Sequence, residues 1–311
     1  MVNTFKYIDT HAHVNLSAFA EDRNVVIDTC AREGVAMINV GTKESTSKNA
    51  VQLAQSFDNC YAIVGLHPIQ TVSGMHDEDE IGEGGQAFTS KGEVFEADFY
   101  RELAQSPKVV GIGECGFDYY RLSESRSSTP GVRMTERKKV ESEAKYHTDP
   151  ESHGVQEAAF IAQIQLANKL KLPLMIHTRG PKPGGESPTG RSVYEDVYDI
   201  LKQYAKVPFN IHFYAGSWEQ AQKFFNIGGT ISFTGVITFA KDYEEVVRNT
   251  PLDLLHAETD CPYVAPVPYR GKRCDPTMVK EVYKKIAAIK GEDEEKVRLQ
   301  LLENAQRLYN L

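Results

Sequence analysis

Eight short apolar runs alternate with amphipathic segments along the chain, at intervals of roughly 25 to 40 residues. The runs predict strands at Phe5–Thr10, Ala36–Val40, Tyr61–Leu66, Val109–Glu114, Leu174–His177, Phe209–Phe213, Thr230–Phe233 and Leu254–Asp260. Strands that alternate with helices pair in parallel through crossovers, and eight such units close into a barrel. The sequence therefore predicts an α/β fold, a (β/α)8 TIM barrel. A doubly wound open sheet is the alternative, but no GxGxxG motif follows the first strand.

Capping residues mark helix starts in the second half of the chain. Ser192 with Glu195, and Ser217 with Gln220, have the spacing of capping boxes, in which the two side chains satisfy free backbone N–H groups. Asp275 followed by proline is typical of an N-cap and the first helical position. These signals predict helices that begin directly after each capping residue.

At 311 residues the chain has the length of one large barrel, and we expect a single hydrolase domain over 1–311. Two segments match no helix or strand. One is 71–97, which is glycine-rich and acidic, and the other is 122–153, which is rich in serine and charged residues. They are expected to be solvated loop insertions or, because βα-loops lie on the C-terminal face of a barrel, parts of the rim of the active site.

The net charge and the cysteine content of the chain limit which substrates it can bind and in which cellular compartment it is expected. With 35 basic against 43 acidic residues the formal net charge is -8, so a polyanionic substrate must be held by local cations, metal ions included. Five scattered cysteines without CxxC spacing fit free thiols in a reducing compartment. Because we see no leader and no apolar span of ~20 residues, we expect no membrane partner and a cytoplasmic location, or a nuclear one in a eukaryote.

Side chains that can bind metals stand at the ends of the predicted strands. His11 and His13 are two residues apart, so in an extended strand they share a face with Asp9. Other strand ends carry one such group each, namely His67, Glu114, His177, His212 and Asp260. A lone histidine is more often a satisfied core residue than a ligand, but the C-terminal ends of barrel strands converge. The set therefore predicts one shared metal site.

Six motifs surround these residues: Asp9–His13, Gly65–Pro68, Gly113–Tyr120, Ile176–Arg179, His212–Gly216 and Glu258–Tyr263. In this order they resemble the motifs of the TatD family of metal-dependent deoxyribonucleases, which belongs to the amidohydrolase superfamily of (β/α)8 barrels. The resemblance runs from about residue 5 to 310. It departs at Phe213-Tyr214, where the family usually has cysteine-phenylalanine, and at Cys274-Asp275, where it has asparagine-glutamate.

The resemblance implies a site for two divalent ions. One ion would be held by His11, His13, Glu114 and Asp260, and the second by Glu114, His177 and His212. The division agrees with chemistry, because a carboxylate has two oxygens and can bridge two ions, which an imidazole cannot. Magnesium or manganese is the expected ion in use, with zinc possible.

The resemblance also implies catalytic roles. Asp260 is the expected proton acceptor from the attacking water, and Glu114 the bridging catalytic carboxylate. His67 is expected to contact a phosphate or to deliver a proton to the leaving group; its alternative role is to cap the backbone before Pro68.

The implied substrate is DNA, as a single strand or a duplex end, cleaved as a 3′–5′ exonuclease. Arg179, Tyr120 and Arg121 are candidate substrate contacts. The alternative is a metal-dependent hydrolase of another ester or amide, such as an aminoacyl-tRNA deacylase, a lactonase or a phosphotriesterase. A non-catalytic binding module is disfavoured because no expected ligand is missing. The oligomeric state stays open, with a monomer as the working expectation.

Overall fold

A computed structural model describes residues 5–76, 88–120 and 150–311. Its strands are β1 (Tyr7–Ala12), β2 (Val35–Val40), β3 (Cys60–Val64), β4 (Ser73–His76), β5 (Phe88–Lys91), β6 (Val109–Asp118), β7 (Leu174–Arg179), β8 (Phe209–Ile211), β9 (Gly229–Phe233) and β10 (Leu255–Ala257). Its α-helices are α1 (Arg23–Arg32), α2 (Glu44–Ser56), α3 (Ala97–Leu103), α4 (Pro150–Leu170), α5 (Val193–Tyr204), α6 (Trp218–Phe225), α7 (Glu244–Asn249), α8 (Val279–Lys290) and α9 (Glu294–Tyr309).

Eight strands form one sheet in the order β1-β2-β3-β6-β7-β8-β9-β10, and every neighbouring pair is parallel. The two ends of the sheet meet where Ala12 and Cys261 form a parallel bridge. Next to it, the His13 backbone N–H donates to the Cys261 carbonyl at 3.0 Å. The predicted barrel is therefore confirmed in a nearly closed form. All eight predicted strands occur, although β6 runs on to Asp118 and the last strand is shorter than expected.

Burial explains why the strands are continuous apolar runs. All six residues of β2 are buried, because one face lies in the barrel interior and the other packs against helices. On the outside, α8 packs its buried face against β1, and the Tyr283 hydroxyl donates to the Ile8 carbonyl at 3.1 Å. Each fully buried large apolar side chain contributes about 1.5–3 kcal/mol. The scaffold that carries the strand ends is therefore rigidly packed.

The predicted helix caps are confirmed. The Ser192 hydroxyl accepts from the Tyr194 N–H and the Ser217 hydroxyl from the Gln220 N–H, each at 3.3 Å. Asp275 accepts from the Thr277 N–H at 2.9 Å and opens a short 3-10 helix, Pro276–Met278, that leads into α8. Within the described residues, no helix combines the length and apolarity needed to cross a membrane.

The two segments without predicted structure need correction where they are described. Within 71–97, β4 and β5 form an antiparallel hairpin with Ser73 opposite Lys91, so the expectation of a plain loop is wrong at the two ends of this segment. Residues 150–153 belong to α4 rather than to the second insertion. Residues 77–87 of the first segment and 122–149 of the second lie outside the described residues.

Candidate active site

The structure brings all the predicted metal-binding side chains together at the C-terminal mouth of the barrel. They face a cavity of about 680 Å³ whose walls include His13, His67, Glu114, His177, His212 and Asp260. His11 lies fully buried behind this wall and contacts both Glu114 and Asp260.

Glu114 lies at the centre of the cluster because β6 is irregular around it. The register between β6 and β7 shifts between Ile112 and Cys115. Gly113 and Gly116, on either side, have φ of +144° and +141°, which side chains rarely adopt, and a Cβ on Gly116 would lie 2.1 Å from the His177 carbonyl oxygen. These two glycines therefore allow the close approach of β6 and β7 that turns Glu114 into the mouth.

The two carboxylate oxygens of Glu114 face different histidines. Oε2 lies 3.5 Å from His11 Nε2 and 4.0 Å from His13 Nε2. Oε1 lies 2.7 Å from His212 Nε2 and 2.8 Å from His177 Nδ1. The resemblance implies the same division of ligands between the two oxygens, but His67 Nε2 also lies near Oε1, at 3.4 Å.

The first group has the spacing of ligands around one ion. Asp260 Oδ1 lies 3.5 Å from His11 Nε2 and 3.4 Å from His13 Nε2, and the two ring nitrogens are 3.0 Å apart. A tetrahedral ion with bonds of about 2.1 Å separates its ligand atoms by about 3.4 Å. The separations in this group, 3.0–4.0 Å, lie around that value, so its nitrogen and oxygen donors suit a divalent ion.

The second group is more contracted. The distances from Glu114 Oε1 to His177 and His212 are hydrogen-bond lengths, whereas the two ring nitrogens are 3.3 Å apart. The donor set still suits a divalent ion, since it consists of two imidazoles and one carboxylate oxygen.

Outer hydrogen bonds assign the proton on two of the rings, those of His13 and His177. His13 Nδ1–H donates to the Val40 carbonyl at 2.9 Å, which leaves Nε2 as the free acceptor. His177 Nε2–H donates to Asp118 Oδ2 at 2.9 Å, which leaves Nδ1 facing Glu114. These tautomers place a lone pair toward the centre of the cluster.

A carboxylate that the sequence did not single out, Glu258, lies beside His212. Glu258 Oε1 lies 3.4 Å from His212 Nδ1 and accepts the Phe213 backbone N–H at 2.6 Å. Its other oxygen accepts from the Ser232 hydroxyl at 2.7 Å, and Ser232 in turn accepts from Asn210 at 2.7 Å. Glu258 is fully buried, so this polar chain in the barrel interior fixes its position.

Asp118 is the other functional candidate that sequence reasoning missed. It ends β6, four residues after Glu114, so it points to the same mouth, and its contact with His177 becomes visible only in the folded barrel. Gln156 accepts the Asp118 N–H at 3.0 Å and donates to its carbonyl at 3.1 Å, which anchors the backbone there.

Of the two roles that the sequence left open for His67, the structure shows the capping role. Its Nδ1 accepts the Ile69 N–H at 3.1 Å, so it caps the turn that begins at Pro68. The proton of the neutral ring is then on Nε2, which lies 3.4 Å from Glu114 Oε1. His67 can therefore donate a hydrogen bond into the site but has no free lone pair there.

Asp260 is held in an unusual backbone conformation. Its φ is 55°, in the left-handed region, which costs a non-glycine residue on the order of 1 kcal/mol. The Asp260 N–H donates to the His11 carbonyl at 2.9 Å. Asp9 does not contact the histidine rings, but accepts from the Thr259 N–H at 2.9 Å and from its hydroxyl at 2.5 Å. These bonds fix the segment that presents Asp260.

Ionisation within the cluster is dominated by burial and mutual charge. Burial alone would raise the pKa of Glu114, but the neighbouring His212, His67 and His11 together hold it well below its usual value. Burial, followed by the charge of His177, lowers the pKa of His67 to about 4, so its ring is neutral near pH 7. Burial opposes a charge on His212 too, yet the carboxylate of Glu114 raises the pKa of His212 well above its usual value.

The predicted substrate contacts are only partly described. Arg179 lines the cavity, and its guanidinium stacks on the Tyr120 ring with 3.9 Å to the ring centroid. Lys182 Nζ lies 5.1 Å from the same centroid. Arg121 lies outside the described residues.

The chain matches a known protein family over nearly its whole length. The profile of the family "TatD related DNase" matches residues 8–310, nearly the whole chain. The chain belongs to this family. It is similar to the uncharacterized metal-dependent hydrolase YabD of Bacillus subtilis, with 31% identity over 97% of this chain and 98% of that protein. It is also 29% identical to the 3′-5′ ssDNA/RNA exonuclease TatD of Erwinia tasmaniensis, over 96% of this chain and 98% of that one.

A solved structure of a TatD homologue has the same fold as this chain. YjjV, a TatD homologue from Escherichia coli K12, matches with a TM-score of 0.71 and 22% identity over 98% of both chains. The chain is therefore a metal-dependent hydrolase of the TatD family, with histidine and carboxylate groups that can bind metal ions.

The five cysteines are all buried and unpaired.

Proposed function

We propose that this TatD-family hydrolase is a divalent-metal-dependent deoxyribonuclease that removes nucleotides from the 3′ end of single-stranded DNA or of duplex ends. The observation that carries the proposal is the position of Glu114, whose oxygens face separate groups of histidines at 2.7–2.8 Å and 3.5–4.0 Å. The exonuclease name of a relative at 29% identity supports the choice of nucleic acid.

In this proposal the two groups hold two divalent ions, magnesium or manganese in use, with zinc possible. One group is His11, His13, Glu114 and Asp260, and the other is Glu114, His177 and His212. Bound ions would activate a water molecule and neutralise the charge that develops on the phosphoryl group and the leaving oxygen. The outer bonds to His13 and His177 support these roles, because each leaves a lone pair toward the cluster.

Asp260 accepts a proton from the attacking water. Burial alone would raise the pKa of Asp260, but the neighbouring His13 and His11 lower it overall, so the carboxylate is ionised near neutral pH. Its side chain borders the cavity, where a substrate phosphate can approach. His67 donates its Nε2–H to a phosphate or leaving oxygen, since its Nδ1 is already engaged by Ile69.

The test is a time course on 5′-labelled single strands and duplexes. The protein is stripped with a chelator and then supplied with magnesium, manganese or zinc. We expect no cleavage by the stripped protein, and after metal addition a ladder that shortens one nucleotide at a time from the 3′ end. Early fragments of intermediate length would contradict the exonuclease mode.

The same preparation is offered a phosphotriester, a lactone and an aminoacyl ester. Hydrolysis of one of these, with DNA left intact under every metal, would replace the deoxyribonuclease by the other class of metal-dependent hydrolase. A cytoplasmic or nuclear location stays a prediction; it agrees with the buried free thiols.

A further inference from the structure

We propose that two cations, Lys43 and Arg179, hold the phosphates that flank the scissile one, so that the preferred substrate is a strand ending in a 3′-phosphate. The inference rests on the proposed nuclease function and adds a substrate class to it. One cation would contact the phosphate on the 5′ side of the scissile linkage, and the other the terminal 3′-phosphate.

The charges of the cavity support this inference. Among the described residues that form its walls, Lys43 and Arg179 are the two with lysine or arginine side chains. The acidic side chains of the same walls are Glu114, Asp118 and Asp260, and each of them contacts a histidine. With a net charge of -8 on the chain, a polyanion depends on such local cations. Among the described residues of the cavity wall, the positive side-chain charge available to a polyanion is therefore at these two points.

The barrel order separates the two cations. Lys43 follows β2, the second strand of the sheet, and Arg179 ends β7, the fifth, with β6 and its Glu114 between them. The strands are three places apart in an eight-stranded barrel, so the cations approach the mouth from different sides. The cavity, about 680 Å³, has the size of pockets that bind drug-sized ligands, and is far larger than one phosphate needs. A ligand that meets both cations must extend across the metal-binding cluster.

Lys43 is positioned for an anion. It directly precedes α2, a helix of 13 residues, whose N-terminal dipole adds positive potential at the same place. The backbone N–H groups of Thr42 and Lys43 both donate to the Thr46 hydroxyl, at 2.9 and 3.0 Å, which fixes the start of the helix. No carboxylate of the described residues lies within ion-pair distance of the Lys43 ammonium, so it can contact a substrate phosphate.

Arg179 is held differently but equally firmly. Its guanidinium lies flat on the Tyr120 ring, 3.9 Å from the centroid, and its carbonyl accepts the Tyr119 N–H at 2.8 Å. A stacked guanidinium keeps its N–H edge free for an anion, and this edge matches the geometry of a phosphate. Arg179 therefore presents a fixed donor edge at a part of the wall that is three strands away from Lys43.

The predicted reaction on a strand with a 3′-phosphate is the hydrolysis of its last internal phosphodiester bond. One water adds to the phosphorus of the last internal linkage, the P–O3′ bond breaks, and the leaving oxygen takes a proton. The products are a nucleoside 3′,5′-bisphosphate and a shortened strand with a 3′-hydroxyl. Reactions that cut strands and leave 3′-phosphates would supply this substrate.

The experiment uses four 5′-labelled oligonucleotides. They combine a 3′-hydroxyl or a 3′-phosphate end with a normal or a neutral methylphosphonate linkage on the 5′ side of the scissile one. For the wild type we expect the 3′-phosphate to raise kcat/KM about tenfold or more, and the neutral linkage to lower it by a similar factor. Lys43→Met should abolish one of these two effects and Arg179→Met the other, to within about twofold.

Lys48→Met is the matched control, because this lysine lies on α2 with its ammonium over the Phe99 ring at 4.7 Å and does not belong to the cavity wall. It should retain both effects. Binding of the same oligonucleotides to calcium-loaded protein, followed by fluorescence anisotropy against salt, gives a second readout. Each cavity variant should reduce the slope of log Kd against log salt by about 0.7.

The outcomes separate the two proposals. If the wild type neither binds nor cleaves the unmodified strands, the nuclease function fails and this inference with it. If the strands are cleaved but the 3′-phosphate blocks the reaction, or if both variants keep both effects, the flanking-phosphate inference is overturned while the nuclease function stands.

Discussion

Asp118→Asn tests whether the outer hydrogen bonds set the metal affinity of the second ligand group. In the wild type, Asp118 Oδ2 accepts His177 Nε2–H at 2.9 Å, while Oδ1 accepts the Tyr120 N–H at 3.0 Å. Burial alone would raise the pKa of Asp118, but the hydrogen bond from His177 lowers it, so the carboxylate is ionised and accepts through both oxygens.

An asparagine of the same shape cannot satisfy both donors. If its oxygen stays on the Tyr120 N–H, its amide faces His177 Nε2–H, and the ring must move its proton to Nδ1, the atom that faces Glu114. If the amide turns over, the Tyr120 N–H loses its acceptor instead. One unmet buried donor costs about 1–3 kcal/mol. Loss of an outer partner typically weakens metal binding 10–100-fold, or about 1.4–2.8 kcal/mol, so the two magnitudes agree.

The assay is calorimetric titration of the chelator-stripped protein with zinc or cobalt. We expect one binding step to weaken 10–100-fold and the other to change by less than about threefold, because the contacts of His11 and His13 do not involve Asp118. Asp196→Asn is the matched control, since this buried carboxylate accepts from the Tyr119 hydroxyl at 2.8 Å but contacts no histidine of the cluster. Equal weakening in both variants, or two unchanged steps in Asp118→Asn, would refute the reasoning.

Three further predictions address the centre, the chemistry and the pH dependence. Glu114→Gln should lose metal from both groups at once, and two ions per chain by elemental analysis would contradict a bridging role. Asp260→Asn should fold normally yet cleave DNA about 10²–10⁴-fold more slowly, so a near-normal rate would remove Asp260 from proton transfer. Burial, followed by the charge of Arg307, lowers the pKa of His256 to about 3. The unfolded chain therefore takes up a proton near pH 6.5 that the folded chain refuses, and the free energy of unfolding falls by about 1.4 kcal/mol per unit as pH drops toward 3. In urea titrations, the free energy of unfolding of His256→Gln should fall by about 2 kcal/mol less than that of the wild type between pH 6.5 and 5. If the free energy of unfolding depends on pH equally in both proteins, another group is responsible.

The barrel could be predicted because its signals are local. A strand buried on both faces must be an apolar run, and Ser192 and Ser217 mark helix starts through bonds within a few residues. The gathering of His11, Glu114 and Asp260 followed from topology alone, since parallel barrel strands end on one face. The hairpin of β4 and β5 was missed because its strands have four residues each and show no regular alternation of apolar and polar residues.

Asp118 and Glu258 could not be identified from the sequence for a different reason. Each lies inside a motif, but a carboxylate near a ligand can bind metal, orient a ligand or take part in neither, and the sequence spacing is the same in all three cases. Contacts such as Glu258 with Ser232, 26 residues apart, exist only after the barrel closes. The signal that points to them is their position at or beside a strand end, the same signal that predicts the ligands.

The histidines at the barrel mouth show that residue type alone does not predict which ring nitrogen faces the cluster with a lone pair. His13 donates from Nδ1 to a backbone carbonyl and His177 donates from Nε2 to Asp118, so each turns its lone pair to the centre of the cluster. His67 accepts at Nδ1 from a backbone N–H, so the same side chain turns an N–H to Glu114 instead. The hydrogen-bond partner on the outer side of each ring therefore decides whether a histidine can bind an ion or can only donate a hydrogen bond to a substrate. Because a single backbone N–H makes this difference, His67 turns an N–H rather than a lone pair toward the cluster, although it lies as close to Glu114 as His11 does.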